Sequence, residues 1–341
     1  MQEKIKIAIS HGDFNGVGYE VILKSFSDSR MFEFCTPVLY GSSKIATYHK
    51  NLLSQHDLNF VSVKDAKSAQ NNKFNIINIT NDEVKIDIGK STQIAGQLSL
   101  KALEDACTDL QNGDVDAIVT APINKKNIQS EHFCFSGHTE YLSRKFDSKS
   151  LMMMVCDRIR IGIVTSHLAL KDVPNVITKE LLLEKIEVMN NSLKRDFGIT
   201  RPKIAVMALN PHAGDNGVNG DEDQRIVAPA IQEACDKGIL AYGPYPSDGF
   251  FGSSEFNHFD GVLALYHDQG LIPFKLMSFT EGVNFTAGLP YVRTSPAHGT
   301  AYEIAGKDIA SEQSFRRAVY LACTILRNRK EYDELTKNPL K

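Results

Sequence analysis

Short apolar runs rich in β-branched residues alternate along this chain with longer segments of helical periodicity, and that alternation constrains the fold more than any other feature. KIKIAIS (4–10), PVLY (37–40), FNIINIT (74–80), DAIVT (116–120), RIGIVT (160–165), KIAVMAL (203–209) and GVLALY (261–266) read as strands. Between them NGVGYEVILKSF (15–26), QIAGQLSLKALEDACTDLQ (93–111), ITKELLLEKIEVMNNSLKRDF (177–197), DEDQRIVAPAIQEACDKG (221–238) and SEQSFRRAVYLACTILRNRKEY (311–332) read as helices. Strands separated by helices specify an α/β fold with mostly parallel sheets, because parallel neighbours need a long crossover and a helix supplies it. At 341 residues and 42% hydrophobic composition, the chain can give each of two domains its own core. No repeat, Ser/Gly tract or Pro-rich linker separates two halves, so the division is expected to be interleaved: 1–132 plus 285–341, and 133–284.

Charge narrows the function classes. The 38 Lys and Arg residues against 41 Asp and Glu leave a net charge of -3, which gives no general attraction to nucleic acid or an anionic membrane. No stretch approaches the roughly 20 apolar residues of a membrane span, and the opening MQEKIKIAIS carries charges where a signal peptide is apolar. A soluble, cytoplasmic protein is the expectation. Cys35, Cys107, Cys134, Cys156, Cys235 and Cys323 form no CxxC pair and read as reduced thiols.

Histidines recur just past three of the strand runs: IVTSH ends at His167, VMALNPH at His212 and LALYH at His267. In a parallel sheet the carboxyl ends share one edge, where open α/β folds place ligands, so these imidazoles can converge. Three neutral imidazoles form a catalytic rather than a structural metal set, since the ion keeps a position open. The plainer reading of each, a hydrogen-bonded and partly buried histidine, stands beside it. His11, His49, His56, His132, His258 and His298 have weaker context, and most are expected in surface or structural roles.

Anion-binding chemistry gathers in two stretches. SGHTEYL (136–142) puts Gly137, His138 and Thr139 at a helix start, whose free amides can hold a phosphate or simply be capped by Ser136 or Thr139. Lys275, Asn284 and Arg293 punctuate apolar surroundings downstream. A lysine point charge and an arginine fork together suit a substrate with phosphate and carboxylate ends, although surface solvation explains any one alone. SPAHGTAYEIAGKDIA (295–310) reads as a turn followed by a short helix, with His298, Gly299, Gly306 and small residues that admit a flat ligand. GxGxxG after a strand is absent; HGDFNGVGYE (11–20) has its glycines at other spacings.

In order along nearly the whole chain, GHTEYL, SHLALKDVP (166–174), NPHAGDNGVNGDEDQRIVAPAI (210–231), GPYPSDGFF (243–251), YHDQGLIPFK (266–275) and GVNFTAGLPYVRTSPAHGTAYEIAGK (282–307) resemble the 4-hydroxythreonine-4-phosphate dehydrogenase family. The resemblance implies an NAD-dependent enzyme of pyridoxal phosphate biosynthesis, with NADP as the alternative cofactor. It implies two interleaved α/β domains with a cleft between them, like isocitrate and isopropylmalate dehydrogenases, whose adenosine-binding loop reads much like HGTAYEIAGK. The first domain would contribute that loop, with His298, Gly299 and Gly306, and the second the metal and substrate residues. By the same resemblance His167, His212 and His267 hold a divalent metal, zinc foremost, with cobalt, magnesium or manganese as alternatives. The substrate residues fall on His138, Thr139, Lys275, Asn284 and Arg293, and the active site is shared across a homodimer. One departure is visible: the family's amino-terminal GDPxGIGPE is here GDFNGVGYE, with Phe14 and Tyr19 in place of prolines.

The implied reaction oxidises the 3-hydroxyl of 4-phosphohydroxy-L-threonine, then loses carbon dioxide to leave 3-amino-2-oxopropyl phosphate. A divalent ion suits both steps, because it lowers the pKa of a coordinated oxygen and polarises a carbonyl. Asp248, Asp268 and Lys275 are the catalytic candidates; either aspartate can orient an imidazole or handle a proton, or can merely cap a turn. Threonate or erythronate 4-phosphate is the alternative substrate, and a three-histidine hydrolase of a phosphorylated metabolite the alternative class. The latter has no use for HGTAYEIAGK.

Overall fold

A computed structural model describes residues 4–54, 58–131 and 133–337. His56 and His132 lie outside the described residues. The strands are β1 (Lys6–Ser10), β2 (Thr36–Gly41), β3 (Phe60–Val63), β4 (Phe74–Asn78), β5 (Ala117–Thr120), β6 (Leu151–Val155), β7 (Arg160–Thr165), β8 (Lys203–Met207), β9 (Leu240–Tyr245), β10 (Gly261–Tyr266), β11 (Val283–Ala287) and β12 (Val292–Pro296). The helices are α1 (Gly18–Ser27), α2 (Met31–Phe34), α3 (Ser43–Leu52), α4 (Gln93–Asn112), α5 (His138–Lys145), α6 (Val173–Val176), α7 (Lys179–Arg195), α8 (Ala228–Asp236), α9 (Ser247–Gly252), α10 (His267–Ser278) and α11 (Gln313–Thr336).

Two compact units form. One comprises the chain through Tyr141 together with Tyr291–Leu326; the other comprises Leu142–Pro290 and the chain from Arg327. The divisions between these units fall after Tyr141, Pro290 and Leu326, within ten residues of 132 and 284 at the first two. The end of α11 joins the second unit because Arg329 is buried there. Its guanidinium donates to Asp196 Oδ1 at 2.6 Å and to the carbonyls of Leu289 and Pro290.

In the first unit the strand order is β3-β4-β2-β1-β5-β12, all parallel. β2 and β5 are buried along their whole length, which is why they read as unbroken apolar runs. In the second unit the order is β11-β6-β7-β10-β8-β9; β6 pairs antiparallel with both β11 and β7, and the remaining pairs are parallel. Thr92 caps α4 and Thr178 caps α7, each side chain accepting from an amide of the first turn. Gly113 ends α4 in the left-handed conformation, φ 75°.

Differences from the sequence reading have physical causes. β6 reads LMMMV, and methionine favours helices. β9 contains Gly243 and Pro244, which an edge strand tolerates and a central one does not. The stretch after β12 forms successive turns through residue 307 and no helix, so the short helix expected there is absent. The proline-for-aromatic departure also finds its explanation. Phe14 and Tyr19 are fully buried, the Tyr19 ring stacks on His49 at 5.0 Å, and its hydroxyl accepts from the Ser42 amide at 3.0 Å. His49 Nε2 donates to the Phe14 carbonyl at 2.8 Å. Packing thus fixes the loop where prolines would have fixed φ.

Candidate active site

In the second unit β7, β10 and β8 are neighbours and parallel, so their carboxyl ends lie on one edge. His167 follows β7, His267 opens α10 directly after β10, and His212 lies beyond β8. The rings of His167 and His267 have centroids 6.3 Å apart. Asp268 Oδ1 lies 2.6 Å from His267 Nδ1, the contact by which a carboxylate orients an imidazole whose other nitrogen serves as a ligand. Among the described residues of one chain, no group of three His, Cys, Asp or Glu side chains is arranged to hold a metal ion. The imidazole pair brings two nitrogen-donor rings of a kind a divalent ion accepts near each other, and among the described residues no third donor is gathered to them.

His212 sits on strained backbone. His212 (φ 53°), Ala213 (φ 53°), Asp215 (φ 44°) and Asn216 (φ 53°) all occupy the left-handed region, at a cost of order 1 kcal/mol each. The buried carboxylate of Asp223 holds this loop, accepting from the Leu209 amide at 2.7 Å and the Asn210 amide at 2.9 Å. Asn210 Nδ2 donates in turn to Glu222 Oε2. Such strain persists where surrounding bonds over-determine it, and it collects at functional sites.

Asp248, in the first turn of α9, and Lys275, on α10, are exposed. The element between them is fixed by Gln269, which sequence reasoning missed. This buried amide accepts from the Leu265 amide and donates to the Ala208 carbonyl and Ser247 Oγ, tying the ends of β10 and β8 to α9. Its only signal was a polar residue in YHDQG, next to the histidine. Asn284 lies on β11 with its Oδ1 buried and without a hydrogen-bond partner.

The first unit holds the other candidates. His138 and Thr139 open α5, and Arg293 lies on β12. The Arg293 guanidinium is fully enclosed, donating to Thr120 Oγ1 from Nη2 at 2.7 Å, and burial lowers its pKa to about 9. Burial likewise holds His138 well below the ordinary imidazole range, with the charges of Arg293 and Lys125 acting in the same direction. Its Nε2 is buried without a partner, and so is Nε2 of His298. His298 Nδ1 lies 2.9 Å from the Gly299 carbonyl, Gly299 is exposed, and Gly306 takes φ 74° against Ile88.

The model of the family described as "Pyridoxal phosphate biosynthetic protein PdxA" matches residues 33–322. The 4-hydroxythreonine-4-phosphate dehydrogenase of Bacteroides thetaiotaomicron is 52% identical over 342 residues, spanning 100% of this chain and 94% of that protein. The chain belongs to the PdxA family. It is accordingly an enzyme of the oxidoreductase class. The crystal structure of 4-hydroxythreonine-4-phosphate dehydrogenase from Klebsiella pneumoniae superposes with a TM-score of 0.82 at 33% identity, covering 95% of this chain and 98% of that one. Isocitrate dehydrogenase from Methylococcus capsulatus superposes with a TM-score of 0.52 at 11% identity, covering 98% of this chain and 89% of that one, and shares the α/β fold alone. No helix among the described residues is long and apolar enough to cross a membrane.

Proposed function

We propose that this chain oxidises 4-phosphohydroxy-L-threonine at its 3-hydroxyl with NAD or NADP, followed by decarboxylation to 3-amino-2-oxopropyl phosphate, in pyridoxal phosphate biosynthesis. The observation that carries the reading is a set of buried polar atoms without partners: His138 Nε2, Asn284 Oδ1 and His298 Nε2. A buried polar atom left unsatisfied costs about 1–3 kcal/mol, so such atoms are retained where a ligand satisfies them. All three fall at positions that the family resemblance assigns to substrate or cofactor.

The division of labour follows from side-chain chemistry. Arg293 and Lys275 supply positive charge for the phosphate and carboxylate ends, His138 and Thr139 hydrogen bonds, and Asn284 an amide that orients the substrate. Asp268 holds the His267 ring in one orientation and tautomer, and Asp248 is the candidate for moving a proton. His298, Gly299 and Gly306 form the cofactor loop. His167, His212 and His267 would hold the divalent ion, zinc or a related metal, which would supply Lewis acidity, and the cofactor loop would hold a nicotinamide, which would supply a hydride acceptor.

A homodimer belongs to the same reading. Among the described residues no third donor joins the pair of imidazoles, and α10, which begins at His267, exposes Ile272 and Leu276 one turn apart at 59% and 70%, with Phe279 just past its end exposed at 83%. A second copy covering that face would bring its own donors beside the pair. The test is absorbance at the reduced-nicotinamide band on mixing protein, NAD, a divalent metal and 4-phosphohydroxy-L-threonine. Rapid, metal-dependent reduction is expected. Faster turnover of threonate 4-phosphate would reassign the substrate, and no reduction with any of these alcohols would overturn the reading.

A further inference from the structure

The candidate cofactor loop has neither helix nor strand from residue 297 to 310, so something other than a backbone ladder must hold its shape. Two attachments do so. The Val17 amide donates to the Thr300 carbonyl at 3.0 Å, and Gly16 admits that carbonyl where a Cβ would meet it at 2.6 Å. Two residues on, the Tyr302 hydroxyl donates to Asp13 Oδ2 at 2.7 Å and accepts from Asn124 Nδ2 at 3.0 Å.

Asp13 is a fixed point. It is fully buried in the amino-terminal loop, and its own amide donates to the Pro122 carbonyl at 2.9 Å. Oδ1 accepts from the Asn15 amide, while Oδ2 is shared by Tyr302 and Asn127 Nδ2. Asn15 extends the same network, accepting from the Asp87 amide and donating to Thr92 Oγ1, and Asn124 reaches Ser91 Oγ. Four separate stretches of chain therefore converge on one tyrosine hydroxyl and one carboxylate. His298, with its buried unpartnered Nε2, sits at the other end of the tethered segment.

We propose that Tyr302, clamped by Asp13 and Asn124, is the positioning residue that pre-sets the cofactor loop before the dinucleotide arrives. Rigidity of this kind raises affinity by removing the ordering cost from the binding step. Tyr302 need not touch the cofactor for this; it acts through the backbone between Gly299 and Gly306. The inference rests on the assignment of that loop to NAD.

The test compares NADH binding, followed by its fluorescence, with thermal unfolding in wild type, Tyr302→Phe and Asn124→Ala. Tyr302→Phe keeps the ring and loses only the hydroxyl, so the fold is expected to survive. Its NADH Kd and its KM for NAD should rise about tenfold, the scale of one hydrogen bond to a charged group, with kcat changed less than about twofold. Asn124→Ala, which leaves the tyrosine–aspartate bond in place, should raise Kd by a smaller factor, about threefold. A lower melting temperature with Kd and KM unchanged in Tyr302→Phe would overturn the proposal, because a merely structural bond behaves that way. If Tyr302→Phe does not fold, Asn124→Ala decides, and an unchanged Kd there overturns it. Wild-type protein that binds neither NADH nor NADPH would instead sink the assignment of the loop.

Discussion

Two buried histidines set a pH limit on this protein. His11 and His49 flank Tyr19 in the first unit, and burial lowers each from the ordinary 6.5 to about 4. Both are therefore neutral when folded at neutral pH. Below pH 6.5 the unfolded chain takes up protons that the folded chain refuses, so their contribution is complete above that value and is lost as pH falls toward 4. The loss is at most about 1.4 kcal/mol per pH unit for each ring. Thermal unfolding between about pH 7.5 and pH 5 should show a melting temperature falling with acidity, less steeply in His49→Gln, whose amide retains a donor for the Phe14 carbonyl. Equal slopes would show that His49 does not titrate in this way. Sequence placed Phe14 and Tyr19 as a departure from the family pattern, yet gave no sign that His49 answers it, because the two stretches meet only in the fold.

At the scale of elements, the segment joining β8 to α8 is the strained one. Asp223 satisfies two half-buried amides there, and removing it takes that partner from both. Asp223→Ala should destabilise the protein by about 2–4 kcal/mol and lower turnover as the His212 backbone relaxes. Calorimetry and steady-state assay check both effects; full activity with an unchanged melting temperature would show that the strain at His212 serves no catalytic purpose. The sequence located His212 past a strand and marked the loop by its glycines. It could not reveal four non-glycine positions held left-handed, nor that the Asp223 carboxylate, over a dozen residues on, ties down the start of this loop at Leu209 and Asn210. Strands β11 and β12 were illegible for a related reason: VNFTA and VRTSP are largely buried yet carry polar residues, which interrupt the apolar pattern of a buried strand.

At the scale of the whole molecule, the exposed face of α10 carries the expectation of a dimer. Leu276→Glu replaces an apolar contact with a charge that a covered face cannot solvate. Light scattering should find wild type dimeric and Leu276→Glu monomeric, with activity lost alongside because the metal donors would no longer meet. An active monomer would end the shared-site reading. Composition, periodicity and motif order were enough to determine the α/β class, the parallel strands β7, β8 and β10 that the three histidines follow, and the family itself, because these depend on local pattern and on residues fixed in sequence. The tertiary structure alone decided which polar atoms stay buried without partners, which carboxylates hold strained loops, and where the chain divides into units. Those properties depend on contacts between residues far apart in the chain, and no local pattern encodes them.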